Sequence, residues 1–221
     1  MINLLKRLLN YIYKDKCYFC SNTKENTVFC SKCFESIDYL NYETIETILD
    51  SNVYSCTYYK GIIQKLIRAV KYHNKTQLAK FQAQIMFDYW ENLQEKNEIY
   101  TLIAVPLHKN RQQKRRYNHM ELIAKEFCNL TNYELNTKCL HRVKDTVPQY
   151  KLSKKQREKN LEDAFKVEKE QIPDSSILLI DDITTTGSTL YEIIKELRKY
   201  TDKKIVCLTT AIPEHNSFYI N

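Results

Sequence analysis

Apolar residues fall into two kinds of run along this chain. Short, almost unbroken runs, Tyr100 to Val105 and Ile177 to Ile180, are what a fully buried strand needs. Val53 to Tyr59 alternates and is rich in β-branched and aromatic residues, which predicts another strand, and Lys204 to Ala211 is read as the last. Between these, apolar positions recur at helical spacing: Ile62, Ile63, Leu66, Ile67 and Val70 after Gly61, then Phe81, Ile85, Met86 and Trp90 within 78–93. Helices are also predicted from about Asn118 to Leu130 and over 189–199, the latter carrying Leu190, Ile193, Ile194 and Leu197. Strands alternating with helices predict an α/β fold on a mostly parallel sheet flanked by helices.

Two stretches stand apart. Ile2, Leu5, Leu9 and Ile12 give Met1 to Tyr13 an amphipathic helical pattern that packs on its own domain, a membrane-surface helix being the alternative. Lys6 and Arg7 interrupt it and no small-residue cleavage site follows, so it makes a poor signal peptide. Residues 144–160 are strongly polar without apolar period, the kind of long irregular segment that serves as a lid or binding loop. No internal repeat is evident.

Composition adds little beyond this. With 221 residues, 43% of them hydrophobic and 28% charged, the chain has the make-up of a soluble globular protein. No apolar run reaches the roughly 18 residues a membrane span needs, and a cytoplasmic location is expected. The net charge of +7 invites a nucleic-acid reading. Abundant Lys, Asn, Ile and Tyr beside two glycines also fit a nucleotide-biased genome, so clustering of charge weighs more than its sum.

The densest chemistry follows the strand at 177–180. Asp181 and Asp182 stand at its carboxyl end, and Thr184, Thr185, Thr186, Gly187, Ser188 and Thr189 lead into the next helix. Ligands of open α/β sheets bind outside the carboxyl ends of strands. A helix N-terminus presents unpaired backbone N–H groups and a positive dipole end, both suited to phosphate. Gly187 falls where a backbone must approach a ligand closely. Helix capping alone calls for one such residue, not two acids and five hydroxyls.

The eight cysteines separate into two kinds. Cys17, Cys20, Cys30 and Cys33 form two Cys-x-x-Cys pairs nine residues apart, a spacing that sets four thiolates around one structural zinc and leaves no open position for catalysis. A disulfide framework and a redox pair are the competing readings. Cys56, Cys128, Cys139 and Cys207 are scattered and read as buried free thiols. The expected organisation is a small zinc-ribbon subdomain over 1–50, including the N-terminal helix, and an α/β domain over 51–221.

Basic residues cluster twice. Lys109, Arg111, Lys114, Arg115 and Arg116 occupy what reads as a loop after the strand ending at Val105, without one acid. If the strands are parallel, this loop lies at the same edge as Asp181. It suits a pyrophosphate or a nucleic-acid backbone, the alternative being a solvated charge patch. Lys151 to Lys159 is the second basic segment.

The run Asp181 to Thr189 resembles the ribose-5-phosphate signature of the type I phosphoribosyltransferases, with Asp181, Asp182, Thr185, Gly187 and Thr189 matching position by position. The resemblance implies that both acids hold the ribose hydroxyls of phosphoribosyl pyrophosphate, directly or through magnesium-bound water, while residues 184–189 wrap its 5-phosphate. The doubled Cys-x-x-Cys, Val105-Pro106-Leu107-His108, Arg115-Arg116-Tyr117-Asn118-His119, Thr146-Val147-Pro148-Gln149 and Arg157-Glu158-Lys159-Asn160-Leu161 extend the likeness to the ComF family over nearly the whole chain. That family combines a phosphoribosyltransferase-like domain with an N-terminal zinc finger. Arg116 stands where it usually has Gly, and His119 where it usually has Gln. The first narrows the backbone angles open to the loop. The second changes the donor pattern and adds a group that titrates near neutrality.

These resemblances imply a protein that binds phosphoribosyl pyrophosphate with magnesium and handles single-stranded DNA during natural transformation. Other competence-machinery proteins would be its partners. The alternative is an active phosphoribosyltransferase that acts on an unidentified acceptor with release of pyrophosphate, and a third reading is a scaffold gripping a partner through the zinc knuckle. Lys109, Arg111, Arg115 and Arg116 would meet the pyrophosphate or a nucleic-acid backbone. Gln149, Arg157 and Asn160 would belong to a lid, and Tyr58, Tyr59, Tyr117 and Tyr150 are candidates for base stacking.

Overall fold

The computed structural model describes residues 15–43, 45–115, 117–146 and 160–214. The expected N-terminal helix and the residues Arg116, Gln149, Tyr150 and Arg157 lie outside them. The chain divides into two compact units, Met1–Asp38 and Tyr39–Asn221.

In the first unit the two Cys-x-x-Cys turns face each other. Tight backbone bonds shape the first turn, with Ser21 N–H donating to Cys17 O and Cys17 N–H to Asn22 O, both at 2.8 Å. Cys30 N-caps the short helix α1 (Ser31–Glu35), and Phe34 N–H returns to Cys30 O at 3.0 Å. Phe29 packs between Phe19, tilted at 4.4 Å between ring centroids, and Phe34, edge-on at 5.4 Å.

The second unit is built on a six-stranded sheet. Its elements are β1 (Glu46–Ile48), β2 (Ser51–Tyr58), α2 (Gly61–Tyr72), α3 (Ala79–Trp90), β3 (Tyr100–Ala104), α4 (Lys109–Arg115), α5 (His119–Thr131), β4 (Glu134–Leu135), β7 (Ser176–Ile183), α6 (Ser188–Leu197) and β8 (Ile205–Ile212). β5 (Leu140–Arg142) and β6 (Phe165–Val167) form a separate antiparallel pair. The sheet order is β1-β2-β8-β7-β3-β4, and every pairing is parallel except β1 with β2. The predicted mostly parallel α/β sheet flanked by helices is therefore the architecture found.

Both faces of the sheet are covered, as a parallel sheet requires. Ile177 and Leu179 of β7 join one apolar cluster with Leu190, Ile193, Ile194 and Leu197 of α6 and with Leu140 and Phe165 of the hairpin. On the other face Trp90, Tyr89 and Phe127 are fully buried, and α3 packs along α5. Trp90 meets Tyr100 edge-on at 5.5 Å, and its indole N–H donates to Tyr133 Oη at 3.2 Å.

The basic segment after β3 differs from the sequence expectation: Lys109–Arg115 is helix α4, not a loop. Its sequence, Lys-Asn-Arg-Gln-Gln-Lys-Arg, has no apolar residue and so no period to read. Arg, Lys and Gln nevertheless favour helix strongly.

Candidate functional site

Connection order decides where a ligand would sit. From β3 the chain moves outward to β4, whereas from β7 it moves the other way to β8. The order thus reverses between β3 and β7, and open α/β sheets bind ligands in the crevice at such a reversal. Val105 N–H donates to Ile180 O at 3.0 Å, so the strand ends are level. The segment leading into α4 and the pair Asp181-Asp182 leave the sheet at the same edge, as the parallel pairing of β3 with β7 dictates.

Beyond β7, Thr184 N–H donates to Ala211 O at 3.1 Å and ties the loop to β8. Thr184 and Ser188 are buried, while Thr185, Thr186 and Thr189 are half-buried. The Thr186 and Ser188 hydroxyls lie 2.7 Å apart. Gly187 turns the chain at φ 72° and serves as N-cap of α6, with its carbonyl accepting from Tyr191 N–H at 2.8 Å. That left-handed angle costs other residues about 1–2 kcal/mol, which explains a glycine in a chain with so few. The first N–H groups of a helix lack intrahelical partners, so the loop expected from sequence leads into a helix start with free backbone donors.

Asp181 and Asp182 point to opposite faces of β7 because strand side chains alternate. Asp181 lies on the α6 side and is half-buried. Its Oδ1 accepts the Asp182 backbone N–H at 2.8 Å. Burial, and then the neighbouring Asp182, push its carboxyl up to about 7. Asp182 lies on the α2 and α5 side and is only 4% exposed. Its Oδ2 accepts from Lys71 Nζ and lies 3.0 Å from His119 Nε2. Burial works against its ionisation, but Lys71 and His119 more than offset this and hold it well below the usual carboxylate range.

The other expected residues are spread around this edge. Lys109 is exposed and lines, with His108, Asn118 and Arg142, a cleft of about 520 Å³. Arg111 is half-buried; its guanidinium donates to the Thr146 carbonyl and stands 3.9 Å from Asp145. Arg115 ends α4, and Asn160 is half-buried. Asn118 caps α5, its Oδ1 accepting from Met120 N–H at 3.1 Å. Tyr117 Oη donates to Val70 O at 2.6 Å, so its hydroxyl is used within the fold. Tyr58 is exposed and Tyr59 half-buried at the end of β2.

Sequence reading missed Lys71 and Arg142. Neither belongs to a local motif, and Lys71 meets Asp182 across 111 positions of chain. Arg142 packs over Phe165, 5.4 Å from its ring centroid, and donates to Thr146 Oγ1. Burial, and then Arg111, lower its pKa to about 10.

In the first unit the four sulfurs of Cys17, Cys20, Cys30 and Cys33 lie within 4.8 Å of one another. A tetrahedral zinc with Zn–S bonds near 2.3 Å sets sulfurs roughly 3.8 Å apart, so the cluster fits a metal such as zinc. Burial alone would raise the Cys17 thiol, but hydrogen bonds from Cys30, Cys20 and Phe19 outweigh it and bring the pKa to about 6. A thiol poised to deprotonate suits a metal ligand.

No protein-family model matches the chain. Among curated proteins it is 33% identical over 139 residues to Competence protein F of Haemophilus influenzae, a match covering 61% of each chain. That match likens the chain to a competence protein. Other matches are the DNA utilization proteins YhgH of Salmonella typhi, 30% identical, and of Escherichia coli K12, 29% identical, each over 96 residues. The chain spans about six tenths of the length of Competence protein F and about four tenths of YhgH. Among solved structures it is similar to an adenine phosphoribosyltransferase from Trypanosoma brucei, with TM-score 0.43 and 9% identity over 80% of this chain and 96% of that one. The allosteric regulatory enzyme of purine biosynthesis gives TM-score 0.38 and 16% identity over 59% of this chain and 25% of that one.

Proposed function

We propose that the carboxyl edge of β7 binds phosphoribosyl pyrophosphate with magnesium, in a protein that handles single-stranded DNA during natural transformation. One observation carries the ligand: an acid at the strand end is followed by a hydroxyl-rich turn that swings at Gly187 into the N-terminus of α6. Backbone donors there suit the 5-phosphate. A half-buried carboxylate at Asp181 suits ribose hydroxyls. It is also the hard oxygen donor magnesium prefers, and the metal when bound would neutralise ligand oxygens. Similarity to Competence protein F and to the DNA utilization proteins supports the DNA role. The half-buried Arg111 near this edge would add cationic charge for a phosphate backbone.

In the first unit we assign structural zinc to Cys17, Cys20, Cys30 and Cys33, whose sulfur spacing fits it. Metal analysis is expected to find one zinc per chain, lost in Cys17→Ser.

Calorimetric titration of the zinc-loaded protein with phosphoribosyl pyrophosphate, with and without magnesium, tests the ligand. Magnesium-dependent binding is the expected result; no binding under either condition would refute the reading. The DNA role predicts affinity for single strands that falls steeply with salt.

A further inference from the structure

Three elements meet at one oxygen beneath the site. Lys71, in the last turn of α2, and His119, the first residue of α5, both reach Oδ2 of Asp182 on β7. The side chains of Asp182, His119 and Lys71 are 5%, 3% and 21% exposed. A separate bond, from Tyr117 Oη to Val70 O, ties the approach to α5 to the same turn of α2. The start of α5 and the last turn of α2 are therefore also joined without Asp182. Next to them, the Asp182 backbone N–H fixes Asp181 Oδ1.

This carboxylate is enclosed, and its Oδ2 is committed to two donors within the fold. Removing its partners would strand a buried charge. We propose that the two acids divide the work: Asp181 meets the ribosyl ligand, while Asp182 is an internal anion through which Lys71, as a positioning residue, sets Asp181. His119 assists as the second donor. Lys71 orients Asp182, and the Asp182 backbone N–H orients the Asp181 carboxylate. The inference rests on the phosphoribosyl pyrophosphate reading and divides its acid pair into two roles.

The test is the magnesium-dependent titration with phosphoribosyl pyrophosphate, run on wild type and variants at a temperature where all are folded by circular dichroism. Lys71→Met strands Asp182 and is expected to weaken binding at least about tenfold, the loss of one charge-assisted hydrogen bond. Lys71→Arg restores a cation and is expected to bind within roughly threefold of wild type. The double variant Lys71→Met with Asp182→Asn strands no charge and recovers most of what Lys71→Met loses. Asp181→Asn stays weak. A purely structural salt bridge would move the melting temperature and leave this pattern of loss and rescue absent. If the double variant stays as weak as Asp181→Asn, Asp182 touches the ligand and the division is overturned. If Lys71→Met binds like wild type, Lys71 positions nothing. If wild type itself fails to bind, the site reading falls instead.

Discussion

Asp181 and Asp182 are the same residue one peptide bond apart, yet the two faces of β7 treat them in opposite ways. On the α6 face the carboxyl of Asp181 is half-buried and raised by its surroundings, while on the α2 and α5 face Asp182 is enclosed and held as an anion by Lys71 and His119. A strand end delivers two acids, and the helices packed on either side decide which is spent inside the fold.

The largest expected effect breaks the enclosed side. Asp182→Asn leaves Lys71 beside a neutral amide in a mostly buried site, and is expected to cost about 3 kcal/mol, the scale for removing one partner of a buried pair. Urea unfolding followed by circular dichroism checks it; a loss under about 1 kcal/mol would mean the pair is effectively solvated.

Gly187→Ala tests the turn that both acids lead into. Its φ of 72° forces a Cβ into the left-handed region, so a loss of about 1–2 kcal/mol is expected. Weaker phosphoribosyl pyrophosphate binding should accompany it, because the proposed phosphate donors lie on that turn. Unchanged stability and binding would mean that the turn relaxes freely.

Asp181→Asn should have the smallest effect on stability at acid pH, within about 1 kcal/mol, while abolishing ligand binding. Its pH signature sharpens the contrast. The folded protein keeps a proton on Asp181 up to about 7, against an ordinary value of 3.8, so its contribution to stability is present at low pH and lost as pH rises through that window. Asp182 has the opposite sign, since its lowered pKa gives stability above the ordinary value that is lost as pH falls below it. Thermal melts from pH 3 to 8 should therefore show Asp181→Asn flattening the decline on the neutral side and Asp182→Asn flattening the one on the acid side. Identical profiles for the two variants would erase the distinction.

The fold, and the placing of the candidate site residues on it, were legible wherever the signal is local. The run at 177–180, the acids and the glycine-centred turn announce strand, site and helix within a dozen residues, and the structure builds β7 and α6 from them. The cysteine spacing told as much, because four sulfurs of one type at fixed intervals have few other uses. Helix α4 escaped because a helix without apolar residues has no period. The pairing of β5 with β6 escaped because each strand is three residues long and a wide stretch of chain separates them. His119 stood out as a departure from the family pattern, but its partner did not. A contact between Lys71, His119 and Asp182 exists only after two crossovers of the sheet have been made.

The most direct measurement is a crystal structure of the protein with phosphoribosyl pyrophosphate and magnesium. The account predicts the 5-phosphate on residues 184–189, ribose hydroxyls or their metal-bound water on Asp181, and Asp182 still bonded to Lys71 and His119. A ligand bound elsewhere, or an Asp182 that has left Lys71 to meet the ribose, would contradict it.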